Sequence, residues 1–315
     1  MKNYSAIFVL CILCCNSVFA ADEKLEYSEV MPLAESSLLL AATEASSRAV
    51  VVGERGHILL SEDRKNWRQP GPTSVPTRAT LTDVTAIGDQ LWAVGHDAVI
   101  LHSSDGGENW QLQYSDPDLY QPLLSVMFTD VMHGYAGGAY GYFLQTSDGG
   151  KSWKQITIHE EFDFHINDIL QLTDGSLFLV AEAGNAFLRI AGETQWQHIE
   201  LPYAGSMFGG LVTAEGNIMV YGLRGHALET PDRGKTWYEL KTGSLASIFG
   251  GTLRTDGSVV LVGAKGAVLT RMAGASDFVI EEDSQGKDLS SLLVLSPKSY
   301  QLVGEAGLSR FTSKY

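Results

Sequence analysis

One phrase recurs seven times along this 315-residue chain and restricts its fold more than any other feature. An apolar run ends in glycine, a two- or three-residue break follows, a second apolar run begins, and a polar turn leads into tryptophan. The tryptophans fall at 67, 110, 153, 196 and 237, with Phe278 in the sixth slot, so the intervals are 43, 43, 43, 41 and 41 residues. The seventh unit reaches Tyr315 before the aromatic slot. Self-similarity at a period near 40 residues marks a repeat architecture in which each unit is one supersecondary element.

Within each unit the residue types point to strands. Val50, Val51 and Val52, then Leu59 and Leu60, and later Val259, Val260 and Leu261 form apolar runs of the length of buried strands. Glycine-rich breaks between them read as hairpins. Another strand opens each unit, as at Leu81–Ile87 and Leu123–Phe128, and a fourth follows the tryptophan, as at 110–114. Four antiparallel strands per unit, seven times over, predict an all-β chain: a seven-bladed β-propeller of four-stranded antiparallel blades. The last unit lacks its outer strand, and residues 25–33 are free to supply it and close the ring. That would protect two open sheet edges.

The first twenty residues read as a leader rather than as fold. Lys2, an apolar run from Ala6 to Cys15 and a small-residue site ending at Ala20 follow the layout of a cleaved secretory signal peptide. We therefore expect residues 1–20 to be removed and 21–315 to form a single propeller in the periplasm. Cys11, Cys14 and Cys15 are all the cysteines, so the exported chain has no disulfide and no thiolate. Loss of Lys2 takes the net charge from −15 to −16, because 21 Lys and Arg then face 37 Asp and Glu. Such a balance offers no cationic footprint for nucleic acid and none for an anionic membrane surface. Neither a metal centre nor a cofactor is expected.

The polar turn is fullest at Thr230, Asp232, Gly234 and Trp237. It recurs with Asp105, Gly107 and Trp110, with Asp148, Gly150 and Trp153, and one residue shorter with Asp63 and Trp67. This S/T-x-D-x-G-x-x-W pattern resembles the Asp-box, or BNR repeat. Asp accepts hydrogen bonds from nearby backbone N–H groups, Gly admits a left-handed residue, and Trp buries a large ring. Calcium would need six to eight oxygens where each turn offers one carboxylate, so the role is structural. Asp-boxes also occur in sialidases, which supplies the alternative function: a glycan-binding or glycan-cleaving propeller. No arginine-centred F-R-I-P segment is present, since Ala191 follows Ile190. No catalytic residue stands out, and the chain reads as a non-enzyme.

Turns between second and third strands share a face with the links between blades, while the Asp-boxes lie opposite. That first face holds Arg55, His96, Asp97, Tyr140, Glu182 and Arg224 in its turns, and Phe164, His165, Tyr203, Met207 and Phe208 in its links. Loops on a rigid scaffold carry binding residues, and aromatic, Met and Arg side chains suit a protein interface. These eleven residues form the candidate partner-binding set. Phe162, Phe164 and Phe208 equally suit plugs for the central channel.

With the units laid out, the chain resembles the photosystem II stability/assembly factor family in its bacterial, non-photosynthetic branch. The residues that carry the likeness are Gly53 through Gly56, Gly95 through Asp97, Gly138 through Gly141, Phe164 and His165, Ala181 through Gly184, Pro202 through Gly209, and Gly222 through Gly225. The resemblance implies an exported propeller without enzymatic activity that scaffolds an integral membrane protein or envelope complex. Relatives in non-photosynthetic bacteria imply an accessory to an RND-type exporter of hydrophobic compounds. In the photosynthetic branch an arginine-rich face is associated with the client; here Arg55, Arg78, Arg224 and Lys265 fall near that face.

Overall fold

The computed structural model describes residues 25–160 and 163–315. The leader and Phe162 lie outside the described residues. Seven antiparallel sheets follow one another along the chain, five of four strands and two of three. Their innermost strands are Leu39–Glu44, Leu81–Ile87, Leu123–Phe128, Ile166–Gln171, Met207–Val212, Ile248–Leu253 and Leu289–Ser296. Each touches the next in sequence, and the first touches the last, so the blades form a closed ring.

Why six of the seven blades turn where they do follows from one steric contact; blade four has Ala181 at that position. The residue that opens the inner strand faces the residue that ends the second strand, as in Leu39 with Gly53, Leu81 with Gly95 and Ile248 with Gly263. A Cβ on Gly53, Gly95 or Gly263 would come within 2.0–2.2 Å of the carbonyl oxygen of Leu38, Thr80 or Ser247. These glycines are extended and are required for close approach, not for positive φ. The left-handed residues come next in the chain. Arg55 (φ 56°) and Gly56 (φ 69°) are the two central residues of the first turn, closed by His57 N–H donating to the Glu54 carbonyl at 2.9 Å. Two consecutive positive φ values define a type I′ turn, whose twist matches the strands on either side.

Neighbouring blades are held by apolar cores. Trp110 packs with blade-one residues Val50, Val52 and Leu60; Trp153 packs beside Trp92 and Phe128; Trp237 packs beside Phe178. Each aromatic slot therefore fills the interface with the preceding blade, which is why it recurs once per repeat.

The expected closing strand does not form. Residues 25–38 carry only a short 3₁₀ turn, Ala34–Ser36, and the seventh sheet has three strands. Ser28 N–H donates to the Val75 carbonyl, and Met31 N–H to Gln69 Oε1, which ties this segment across blade one. Pro32 sits in the middle of it and cannot donate to a ladder. Closure comes from side-chain packing instead: Ala34, Leu39, Val51, Leu59 and Val303 share one core. Blade one is also three-stranded, with only the Leu60–Arg68 bridge beyond its third strand.

Candidate partner-binding face

The tips of the second-to-third turns place one side chain per blade on the face that carries the inter-blade links. In blades one to six the left-handed tip is Arg55, Asp97, Tyr140, Ala183, Arg224 and Lys265, all exposed. Glycine or asparagine would occupy such a position without strain, whereas another L-residue costs about 1–2 kcal/mol there. Long side chains in strained, exposed positions mark places where function outweighs local stability. Arg55, Arg224 and Lys265 form no ion pair among the described residues, while Arg78 is paired with Glu29 at 2.9 Å and Lys287 with Glu305 at 3.0 Å.

Between blades three and four the candidate residues meet. Tyr140, 58% exposed, sets its ring edge-on to His165 at 5.2 Å. His165 Nδ1 lies 3.1 Å from Glu182 Oε1, and Gly141 N–H donates to the Phe164 carbonyl at 2.8 Å. Phe164 is 40% exposed and does not line the channel cavity. Tyr203 stacks on His226 at 3.8 Å, a partner the sequence did not single out. His96 is exposed beside Asp97. Met207 has no exposed surface and packs among Phe178, Val180 and Val220, so it is a core residue and not part of a binding face. It occupies the same register as Leu39 and Leu81, the buried opening position of an inner strand.

The Asp-boxes are structural turns on the opposite face. Asp232 Oδ1 accepts from Thr236 N–H at 2.8 Å and from Thr230 Oγ1 at 2.9 Å, and Gly234 N–H donates to Thr230 Oγ1 at 2.8 Å. The same bonds recur around Asp105 and Asp148, and Asp63 accepts from the N–H groups of Lys65 and Asn66. These donors hold Asp148 and Asp232 down at about 2. Gly107, Gly150 and Gly234 have φ of 94°, 85° and 88°, and a Cβ on Gly234 would strike Ile199 of the preceding blade at 2.8 Å. Trp110 Nε1 returns a bond to the Gly107 carbonyl at 2.9 Å.

The channel holds what sequence reasoning missed. Every inner strand bulges after its first residue. The bulged residues, among them Leu40, Leu124, Phe208 and Phe249, surround a cavity of about 220 Å³ to which all seven blades contribute. Phe208 thus lines the channel mouth, its ring 5.5 Å from that of Phe249. Below them Asp83 accepts from Val84 and Val126 N–H at 2.8 Å each, and Asp168 accepts from Ile169 at 2.8 Å and Gly210 at 2.9 Å. Each carboxylate so joins its own blade to the next. Thr82 donating to the Leu123 carbonyl and Asn167 to the Met207 carbonyl, at 2.7 Å each, add a second link. Although an edge of both aspartates is accessible, burial of the carboxyl groups dominates. It pushes Asp83 up to about 7, with Asp168 adding repulsion, and raises Asp168 as well.

Comparison with known proteins fits this geometry. Residues 113–278, just over half of the chain, match the family model for the photosynthesis system II assembly factor Ycf48. The chain belongs to the Ycf48 family. Residues 33–172 also match the DUF6242 β-propeller domain. A photosystem II assembly lipoprotein Ycf48 from Synechococcus sp. (strain CC9902) is 26% identical over 118 residues, which is 37% of this chain and 35% of that relative. The chain thus aligns with about a third of that relative's length. Among solved structures, Ycf48 bound to a D1 peptide superposes with a TM-score of 0.71 at 19% identity, covering 91% of this chain and 96% of that one. A virginiamycin B lyase from Staphylococcus aureus superposes at 0.73 with 10% identity, covering 92% and 99%. At such identities the likeness establishes the propeller fold, which enzymes and non-enzymes share.

Proposed function

We propose that this propeller is a non-enzymatic scaffold of the periplasm that holds a segment of an envelope membrane protein on the face bearing the tips, the partner being an RND-type exporter of hydrophobic compounds. The observation that carries the reading is the row of strained, exposed tips, with Tyr140 exposed and Arg55, Arg224 and Lys265 without an ion-pair partner among the described residues. A Ycf48 structure holds a D1 peptide, which supports a peptide-sized ligand here. No helix of the described residues is long and apolar enough to cross a membrane. The non-enzymatic reading draws on the channel aspartates, each of which ties its own blade to the next through backbone N–H groups.

The test is affinity capture from solubilised envelopes with the tagged wild type and with Arg55→Ala/Arg224→Ala. Interface arginines that anchor a partner cost about 2 kcal/mol or more on truncation, roughly 30-fold in affinity. The double variant should therefore lose the membrane partner while melting at the wild-type temperature. Equal recovery by both proteins would overturn the site. Stabilisation of the propeller by an oligosaccharide, with no membrane protein captured, would overturn the function.

A further inference from the structure

The channel cavity contains a second, chemically different arrangement. Asp83, Ser125 and Asp168 hold the equivalent wall position in blades two, three and four. Ser125 Oγ donates to Asp168 Oδ1 at 3.3 Å. Glycine stands at that position in blades five and six, as Gly209 and Gly250, and the space beside Gly209 is taken by Tyr221 from the second strand of blade five, whose ring also lies against Gly251. A Cβ on Gly209 would lie 2.8 Å from the Tyr221 hydroxyl, and one on Gly251 would lie 3.0 Å from its ring.

Tyr221 is 3% exposed and lines the same cavity as the two aspartates. Its hydroxyl makes no hydrogen bond among the described residues and opens on the cavity, where a ligand can reach it. Neither aspartate is paired with a cation among the described residues, though both raise the Tyr221 hydroxyl further above its ordinary value after burial. Two carboxylates with spare lone pairs and one orphan hydroxyl thus converge on one small space, beneath a collar of Leu40, Leu124 and Phe249.

We propose that the channel binds a primary alkylammonium group, its three N–H donors meeting Asp83, Asp168 and Tyr221 and its apolar stem lying in the collar. An ammonium has three donors and no acceptor, which matches a site made of acceptors. Lysine-like groups bury their methylenes along apolar walls, and the Phe208 and Phe249 rings at the mouth favour a passing cation. A divalent metal is a poorer match, because no group of three His, Cys, Asp or Glu occurs among the described residues. A cavity of about 220 Å³ holds roughly seven waters at ~30 Å³ each, enough for a short aminoalkyl arm. The ammonium is carried either by a free amine or by a lysine side chain of the partner segment. The second source rests on the docking reading above; the first does not.

Calorimetric titration of the full chain at pH 8 tests this, with n-pentylammonium against 1-pentanol as the uncharged control. Pentylammonium should bind with a dissociation constant on the order of 1 mM or below, as small ligands of good efficiency do, and pentanol at least tenfold more weakly. Asp168→Asn should weaken the amine tenfold or more, and the milder Tyr221→Phe threefold or more with an unchanged melting temperature. Nα-acetyl-lysinamide binding as well as pentylammonium assigns the site to a side chain; binding tenfold worse assigns it to a free amine. Equal binding of amine and alcohol, no amine binding below about 10 mM, or wild-type affinity in both variants overturns the proposal. Each of these results stands apart from the Arg55/Arg224 capture comparison, so failure of one reading is distinguishable from failure of the other.

Discussion

The stability of the ring should fall as pH rises through neutrality, and Asp83 is the residue to test. Its carboxyl ionises near 7 in the fold and near 3.8 in the unfolded chain. The folded state therefore keeps a proton that the unfolded chain loses between those values. The stability this contributes is fully present below about 3.8 and is lost as pH rises through 7. At 1.36 kcal/mol per pKa unit the whole effect is about 4 kcal/mol, and roughly 2 kcal/mol of it falls between pH 5.5 and 8. Asp83→Asn removes the titration but leaves one of the Val84 and Val126 N–H groups facing an amide donor, a pH-independent cost of about 1 kcal/mol. Urea unfolding followed by tryptophan fluorescence should thus find the variant gaining on the wild type by about 2.5 kcal/mol between pH 5 and pH 8. Burial lowers His57 and His102, which works in the opposite direction, so the quantity to read is the difference between the two proteins at each pH. A difference that stays constant from pH 5 to 8 would refute the reasoning.

Two further perturbations probe the packing. Trp92 is fully buried and stacks on Phe128 at 3.6 Å, so Trp92→Ala should cost about 3–5 kcal/mol in equilibrium unfolding. Gly225→Ala combines φ of 76° with a Cβ 2.1 Å from the Ser244 carbonyl oxygen and should cost more than about 2 kcal/mol; Gly216→Ala, at φ 84° with nothing within 4 Å, should cost only the ~1 kcal/mol of the backbone conformation, and equal losses at the two sites would sink the close-approach explanation.

The blade pattern was legible because each recurring residue answers to a local force. Strand starts at Leu81 and Leu123 and aromatic slots at 110 and 153 follow from burial, and the Asp-box bonds lie within a few residues of one another. Glycine was read correctly as turn-associated but for only part of the reason, since Gly53 and its equivalents are extended and avoid a clash with the next chain segment. Residues 25–33 invite a strand assignment because no other unit claims them, yet Val75 captures the Ser28 N–H and Gln69 the Met31 N–H. Met207 was misplaced among link residues because the repeat register was not carried through the segment from Pro202. The same omission hid Asp83 and Asp168, which look like any two of 37 acids until the inner strands are aligned and both fall two residues after the buried opening residue. Tyr221 had no such signal: only the glycines across from it explain its position.

The seam between the seventh blade and the first has a kinetic consequence. Bonds between neighbouring blades join residues close in sequence, as Thr82 and Leu123 are at a separation of 41. Across the seam the Arg310 guanidinium reaches the Arg64 carbonyl over 246 residues, and no strand is exchanged. Each blade is a contiguous stretch that can form and dock on its predecessor during synthesis, whereas the final interface waits for the longest loop in the molecule to close. Until then the ring is an open arc, with the inner strand of blade one uncovered and the channel incomplete.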